Sequence, residues 1–82
     1  MPIVRFAWNP VLIEIRRACC PRARWDAARR AWTMTPEEAE AFIQASHTRL
    51  EFGRVSNEIV VDGVRWIVGF ARGAPLVLPG GA

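Results

Sequence analysis

Six of the eleven arginines of this chain lie within one short segment, residues 16–30. Asp26 is the segment's single acid, so its net charge is +5, whereas the rest of the chain sums to −2. A guanidinium group binds phosphate or carboxylate through two parallel hydrogen bonds and stacks on bases and aromatic rings. A tryptophan lies among these arginines, and such interleaving is typical of single-strand binders. The candidate partner-binding or nucleic-acid-binding residues are Arg16, Arg17, Arg22, Arg24, Trp25, Arg29 and Arg30.

Two simpler explanations of these residues stay open. The chain has no lysine, as expected from a GC-rich genome, so arginine is the default surface cation. Trp25 and Trp32 would lie opposite each other across a short hairpin, and such a pair more often belongs to core packing. Charge alone therefore permits nucleic acid, an acidic protein or no partner at all.

Catalytic chemistry finds little support in the sequence. Ser46 and His47 are neighbours at a predicted helix end, so their side chains diverge by about 100° and do not form a prepared nucleophile–base pair. His47 is better explained by contact with the last helix carbonyls. Glu37, Glu38 and Glu40 lie where a helix begins and suit the positive end of its dipole. We expect a non-catalytic protein.

The cysteines indicate neither a metal site nor a disulfide framework. Cys19 and Cys20 are adjacent, a spacing that strains a mutual disulfide, and His47 is the single histidine. A zinc site needs about four ligands, so we expect no metal and no cofactor. Two reduced, partly buried thiols fit a cytoplasmic protein, with an intermolecular disulfide as the alternative. Residues 1–5 do not begin a secretory signal, and the apolar runs are too short to cross a membrane.

Hydrophobic periodicity and breakers predict the element order β-α-β-β-α-β-β-β. Val4, Phe6 and Trp8 alternate with Ile3, Arg5 and Ala7, which predicts a first strand with Val4, Phe6 and Trp8 on its core face. The inward face of the first helix should carry Leu12, Ile15 and Cys19. The first half is predicted to contain a strand over 3–8, a helix from Asn9-Pro10 to Pro21, and strands at Arg24-Trp25 and 31–34 around a turn begun by Asp26. A second helix should run from the capping box Thr35-Pro36-Glu37-Glu38 to about His47. A strand over 50–55 and a hairpin over 58–71, which turns at Asp62-Gly63, should follow.

With 82 residues the chain is long enough for one domain with one thin core. Two amphipathic helices among several short strands predict an α+β fold, in which a mostly antiparallel sheet carries both helices on one face. The domain is expected to span residues 1–72. A Pro/Gly-rich tail, 73–82, would either add a short edge strand or stay loose.

Two motifs stand out, Phe6-x-x-Asn9-Pro10-x-Leu12-Ile13 and Arg22-x-Arg24-Trp25-Asp26-x-x-x-Arg30-x-Trp32-Thr33. With these motifs, residues 3–46 resemble a HARP-type domain, the small module attached to annealing helicases. The resemblance implies this α+β fold and contact with single-stranded or forked DNA through Arg22, Arg24, Arg29 and Arg30. Here the module is expected to be free-standing, and by size it is also similar to small inhibitors from phages and mobile elements, such as anti-CRISPR proteins.

Three functional hypotheses follow. In the first, the protein binds and inhibits a nucleic-acid-processing complex through its arginine-rich face, since Arg and Trp dominate many protein interfaces. In the second, it binds single-stranded or forked DNA directly, as a HARP-like accessory module. In the third, it associates with itself through an open edge strand. Monomer and homodimer both fit these hypotheses.

Overall fold

Two helices and five strands occupy the described part of the chain, residues 1–50 and 57–69 of a computed structural model. The predicted α+β class is confirmed. Residues 51–55 of the predicted strand over 50–55, residues 70–71 of the predicted hairpin over 58–71, and the tail lie outside the described residues. The elements are β1 (Ile3–Phe6), α1 (Pro10–Cys19), β2 (Arg24–Asp26), β3 (Ala31–Thr33), α2 (Pro36–Leu50), β4 (Asn57–Val61) and β5 (Val64–Val68).

The strands form one antiparallel sheet with the order β2-β3-β1-β4-β5. β1 is central because it pairs with β3 on one side and β4 on the other, so that Val4 lies opposite both Trp32 and Val61. Directly paired residues share a face of a sheet, and successive residues alternate. The register therefore assigns one face to Val4, Phe6, Trp25, Trp32, Ile59, Val61, Trp66 and Val68, and the opposite face to Ile3, Arg5, Arg24, Asp26, Val60 and Arg65.

Both helices pack on the first of these faces, as predicted. Phe42 of α2 meets Phe6 of β1 with ring centroids 5.2 Å apart, and Arg16 of α1 lies over the Trp32 ring of β3. Cys20, just beyond α1, is the fully buried thiol, whereas Cys19 is only partly buried. The largest fully buried side chains are Phe42, Leu12, Met34, Ile59, Val4, Val68, Cys20 and Ser46.

The start of α1 ends the first strand earlier than predicted. The Asn9 side chain accepts a hydrogen bond from the Val11 amide at 2.9 Å, and Pro10 occupies the first turn, where a missing N–H costs nothing. The chain must leave the sheet before this cap, so β1 ends at Phe6. Trp8, predicted to face the core, is instead exposed.

The capping box predicted for α2 is confirmed in both directions. The Glu38 amide donates to Thr35 Oγ1 at 3.1 Å, and the Thr35 amide donates to Glu38 Oε1 at 3.0 Å. The helix continues to Leu50, three residues beyond the predicted end, so the expected start of a strand at Leu50 was wrong. Leu50 packs on the core, which favours one more helical turn.

The hairpin of β4 and β5 turns where the sequence predicts. Asp62 and Gly63 have φ values of 50° and 81°, the left-handed pair that a two-residue type I′ turn requires. The Asp62 carboxylate and amide also bond the Ile3 amide and carbonyl, both at 2.8 Å. The turn is thereby joined to the first residue of the central strand.

Candidate functional site

The arginine-rich segment does not present its side chains on one face. Because β2 alternates, Trp25 lies on the helix-covered face, whereas Arg24 projects from the opposite face. Arg22 is exposed in the connection between α1 and β2. Arg29 and Arg30 are exposed in the β2–β3 turn, at the end of the sheet where β1 finishes. The structure brings only three of the seven candidates together: Arg16, Arg17 and Trp25.

Arg16 stacks on Trp32. Its guanidinium carbon lies 3.9 Å from the ring centroid, within the range of a cation–π contact. Burial lowers the pKa of Arg16, which still remains a cation at neutral pH. Its buried Nε has no hydrogen-bond partner. Arg16 therefore holds Trp32 in place and retains one unsatisfied donor beside it.

Trp25 and Trp32 form the cross-strand pair that their spacing predicts. They are paired residues of β2 and β3, and their rings meet edge to face with centroids 5.3 Å apart. The pair is not a core pair, however, because Trp25 keeps 54% of its surface exposed on edge strand β2. Trp32 is partly buried beneath the guanidinium group of Arg16, whereas the exposed ring of Trp25 is accessible to a ligand.

These side chains line a groove of about 400 Å³ between α1 and the β2 edge of the sheet. Trp8 contributes a third indole, which is 77% exposed. We call this cavity the tryptophan groove. Its described lining residues are Phe6, Trp8, Ile13, Arg16, Arg17, Trp25 and Trp32.

The charge of the tryptophan groove is positive. Arg16 and Arg17 contribute two cations, and no acid is among the lining residues within the described part of the chain. The nearest acid along β2, Asp26, belongs to the opposite face and is occupied by Arg29, whose amide and Nη1 donate to it at 3.2 and 2.9 Å. Hydrogen bonds from the Arg29 backbone and then its side chain hold the pKa of Asp26 below its usual value. A planar anionic ligand would meet aromatic faces and two guanidinium groups here.

Hydrogen bonds to α2 hold the connection between α1 and β2, and thereby position β2 beside this groove. Glu38 Oε2 accepts the Arg22 amide at 2.8 Å, and the Cys20 thiol donates to the Glu38 carbonyl at 3.5 Å. Burial, followed by the charge of Glu38, raises the pKa of Cys20 to about 11. Cys20 is therefore a protonated packing residue at neutral pH.

The neighbours Ser46 and His47 do not act as a pair. Both are buried, and Ser46 Oγ has no hydrogen-bond partner, so it makes no bond to the imidazole. Nδ1 of His47 accepts the Gly69 amide at 3.1 Å, which joins α2 to the end of β5. The sequence predicts contact of His47 with the last helix carbonyls and does not indicate this hydrogen bond from the Gly69 amide. Within residues 1–50 and 57–69, no three His, Cys, Asp or Glu side chains are grouped as a metal site.

The groove residue that the sequence analysis missed is Trp8. The alternation of residues 3–8 predicts Trp8 on the core face, but β1 ends two residues earlier, at Phe6. The signal that could have corrected this is Asn9-Pro10, because a helix cap at residue 9 forces the chain out of the sheet beforehand. Phe6 and Ile13 join the groove only through the packing of α1 on β1.

Comparisons with known proteins add no relative. No protein-family model, no curated protein and no solved structure matches the chain. The resemblance to a HARP-type domain stays a prediction. Neither helix of the described residues is long and apolar enough to cross a bilayer.

Proposed function

We propose that this protein binds single-stranded nucleic acid, without catalysis and without sequence preference, in the tryptophan groove. The observation that carries the proposal is the placement of two exposed indoles, Trp8 and Trp25, beside Arg16 and Arg17 in one cavity. Stacking of a base on an aromatic ring contributes about 1–3 kcal/mol and tolerates every base. Duplex DNA keeps its bases stacked on each other, so a groove of this kind favours single strands.

Arginine supplies the complementary part of the recognition. Arg16 lines the tryptophan groove, and a phosphate oxygen is an acceptor of the right charge for its guanidinium group. Arg17, one residue further along α1, is exposed and can follow the backbone of a strand. The ligand would therefore place bases against Trp8 and Trp25 and phosphates towards α1.

The resemblance to HARP-type domains supports the same ligand class, although it implied other residues. It assigned DNA contact to Arg22, Arg24, Arg29 and Arg30. Arg29 is paired with Asp26, and Arg24 projects from the sheet face opposite the groove. The proposal therefore moves the centre of the site to Trp8, Trp25, Arg16 and Arg17.

Fluorescence anisotropy with a labelled oligothymidylate tests the proposal. Affinity should fall with salt, with a log–log slope of about −0.7 for each phosphate contacted. Trp25→Ala and Trp8→Ala should each weaken binding by about tenfold, the loss of one stacked base. Arg17→Ala should weaken binding and make the slope shallower by about 0.7.

Two variants serve as matched controls. Trp66→Phe changes the one tryptophan that does not line the tryptophan groove, and Arg49→Ala removes an exposed arginine from the last turn of α2. Both should bind like the wild type. Absence of binding at low salt, or equal affinity of the Trp8 and Trp25 variants and the controls, would overturn the proposal.

Inhibition of a nucleic-acid-processing complex is the second candidate function. Exposed Trp8 and Trp25 favour it, because large rings beside arginine are the side chains that most often dominate protein interfaces. The pure protein would be added to a purified RNA-guided nuclease at a salt concentration that abolishes its oligonucleotide binding. Reduced cleavage that Trp25→Ala restores would support this function, and unchanged cleavage would count against it.

A further inference from the structure

A second cavity adjoins the tryptophan groove at the end of β1. It has a volume of about 350 Å³, and its lining includes Arg5, Arg30, Phe6 and Glu58. Phe6 also lines the tryptophan groove. The two cavities therefore share this residue at the end of β1. Because Arg5 belongs to the sheet face opposite Trp25, a chain-like ligand that fills both cavities passes round this end of the sheet.

Two guanidinium groups from different elements converge on this second cavity. Arg5 comes from the central strand and Arg30 from the β2–β3 turn, and both are exposed. Nη2 of Arg5 donates to the Arg29 carbonyl at 3.2 Å, which ties the strand to the turn and orients the Arg5 side chain. Two arginines that line one cavity match the several acceptor oxygens of a phosphate group.

The acid in this lining is already compensated. Nε and Nη2 of Arg65 donate to Glu58 Oε2 at 2.8 and 2.5 Å across the β4–β5 ladder. The charge of Glu58 is thus largely balanced by a cation that is not among the described lining residues. Arg5 and Arg30 leave the cavity with a positive excess.

The backbone of Arg30 provides an independent observation. Its φ is +50°, in the left-handed region that L residues other than Asn and Asp rarely adopt. Glycine would fit this turn position without strain. Strained backbone of this kind concentrates at functional sites, so an arginine at this position points to a use for its side chain.

From these observations we infer that Arg5 and Arg30 form a phosphate-binding subsite for the same single strand that occupies the tryptophan groove. The inference rests on the proposed function and extends it. Bases stack on Trp8 and Trp25, and the backbone then crosses Phe6 so that a following phosphodiester reaches the two arginines. The protein would hold a longer stretch of single strand than its groove alone can cover.

Binding of oligothymidylates of increasing length, from about two to about ten nucleotides, tests the inference. The wild type should gain affinity once the oligonucleotide is long enough to leave the groove. Arg30→Gly removes the guanidinium while relieving the strained φ, so it should fold well. It should lower the affinity for the longest oligonucleotide by about tenfold, as expected for one charge-assisted hydrogen bond, and leave the shortest unaffected.

Arg5→Gln is a second test of the subsite, because it removes the guanidinium charge and its bond to the Arg29 carbonyl and keeps a shorter polar side chain. It should reduce the length-dependent gain as Arg30→Gly does, and Arg49→Ala should preserve it. If both variants bind every length like the wild type while Trp25→Ala binds more weakly, the phosphate subsite is overturned, but the proposed binding in the tryptophan groove is supported. If the wild type binds no length, the proposed function fails, and the subsite fails with it.

Discussion

Glu38 connects the start of α2 to the arginine-rich connection between α1 and β2. One carboxylate oxygen accepts the Thr35 amide at 3.0 Å, and the other accepts the Arg22 amide at 2.8 Å. The Glu38 side chain thus completes the cap of α2 and also holds the connection that precedes Trp25 of the tryptophan groove. These backbone hydrogen bonds, first from Thr35 and then from Arg22, hold the pKa of Glu38 below its usual value.

The lowered pKa of Glu38 predicts a pH dependence of stability. A carboxyl group whose pKa is lower in the folded state stabilises the fold above its unfolded pKa, about 4.3, and this contribution is lost as pH falls through the folded value. Unfolding by urea at several pH values should show the loss below about pH 4.5. Glu38→Gln should flatten this part of the curve, because glutamine can keep the capping geometry but does not titrate there.

Asp26 contributes to the same pH range, since its pKa is also lowered, so Glu38→Gln reduces the slope without abolishing it. Glu37→Gln is the matched control, because Glu37 is an exposed residue of the same helical turn. A Glu38→Gln curve that is parallel to the wild type at acid pH would contradict this account.

Gly69→Ala should destabilise the fold more than Gly63→Ala. Both glycines have positive φ, 68° and 81°, which costs alanine about 1 kcal/mol or more. A Cβ on Gly69 would also lie 2.9 Å from the Leu50 carbonyl carbon and oxygen, whereas a Cβ on Gly63 meets nothing within 4 Å. Comparison of the two melting temperatures checks the prediction, and equal losses would refute the close packing of α2 on the end of β5.

Arg30→Gly should leave the free energy of unfolding unchanged or raise it by up to about 1 kcal/mol. Relief of the left-handed backbone favours the variant, while the larger entropy of glycine in the unfolded chain offsets part of the gain. Arg29→Gly should instead destabilise the turn, because it removes the ion pair with Asp26. Chemical denaturation of both variants would reveal the contrast. A large loss of stability in Arg30→Gly would assign its side chain a structural role.

The two adjacent thiols should react at different rates with iodoacetamide. Cys20 is fully buried, and its pKa is raised to about 11, so little thiolate forms and the reagent has no access. Cys19 is partly exposed. Mass spectrometry of proteolytic fragments should show Cys19 modified first and Cys20 only after urea is added. Equal modification in the native protein would contradict the packing of Cys20 against Glu38.

The parts of the fold that could be predicted are those decided by local chemistry. The capping box of Thr35 and Glu38 and the Asp62-Gly63 turn each depend on a few neighbouring residues, and each occurs where the sequence indicated. The placement of β1 between β3 and β4 could not be predicted, since it depends on pairing between distant residues. The length of α2 was misjudged because Leu50 packs on the core, which helix signals do not encode.

The candidate site was only partly predictable for a related reason. Charge density marked residues 16–30, but the strand period of two sends Arg24 and Trp25 to opposite faces, and the turn carries Arg29 and Arg30 to the end of the sheet. Trp8 and Arg5 lie outside the segment and reach the two cavities only through the central position of β1. Linear clustering therefore identified the charge of the site but not its shape.

Arg16→Met should separate the two roles of Arg16. The methionine side chain can continue to cover the Trp32 ring, because a thioether makes favourable contact with aromatic rings, but it carries no charge and no donor. We expect the melting temperature to change little and the affinity for oligothymidylate to fall by about tenfold, with a salt slope shallower by about 0.7. Arg16→Ala, which uncovers the ring as well, should lose both stability and affinity. Unchanged affinity of Arg16→Met would show that the contact with Trp32 serves packing alone and that the charge of Arg16 takes no part in binding.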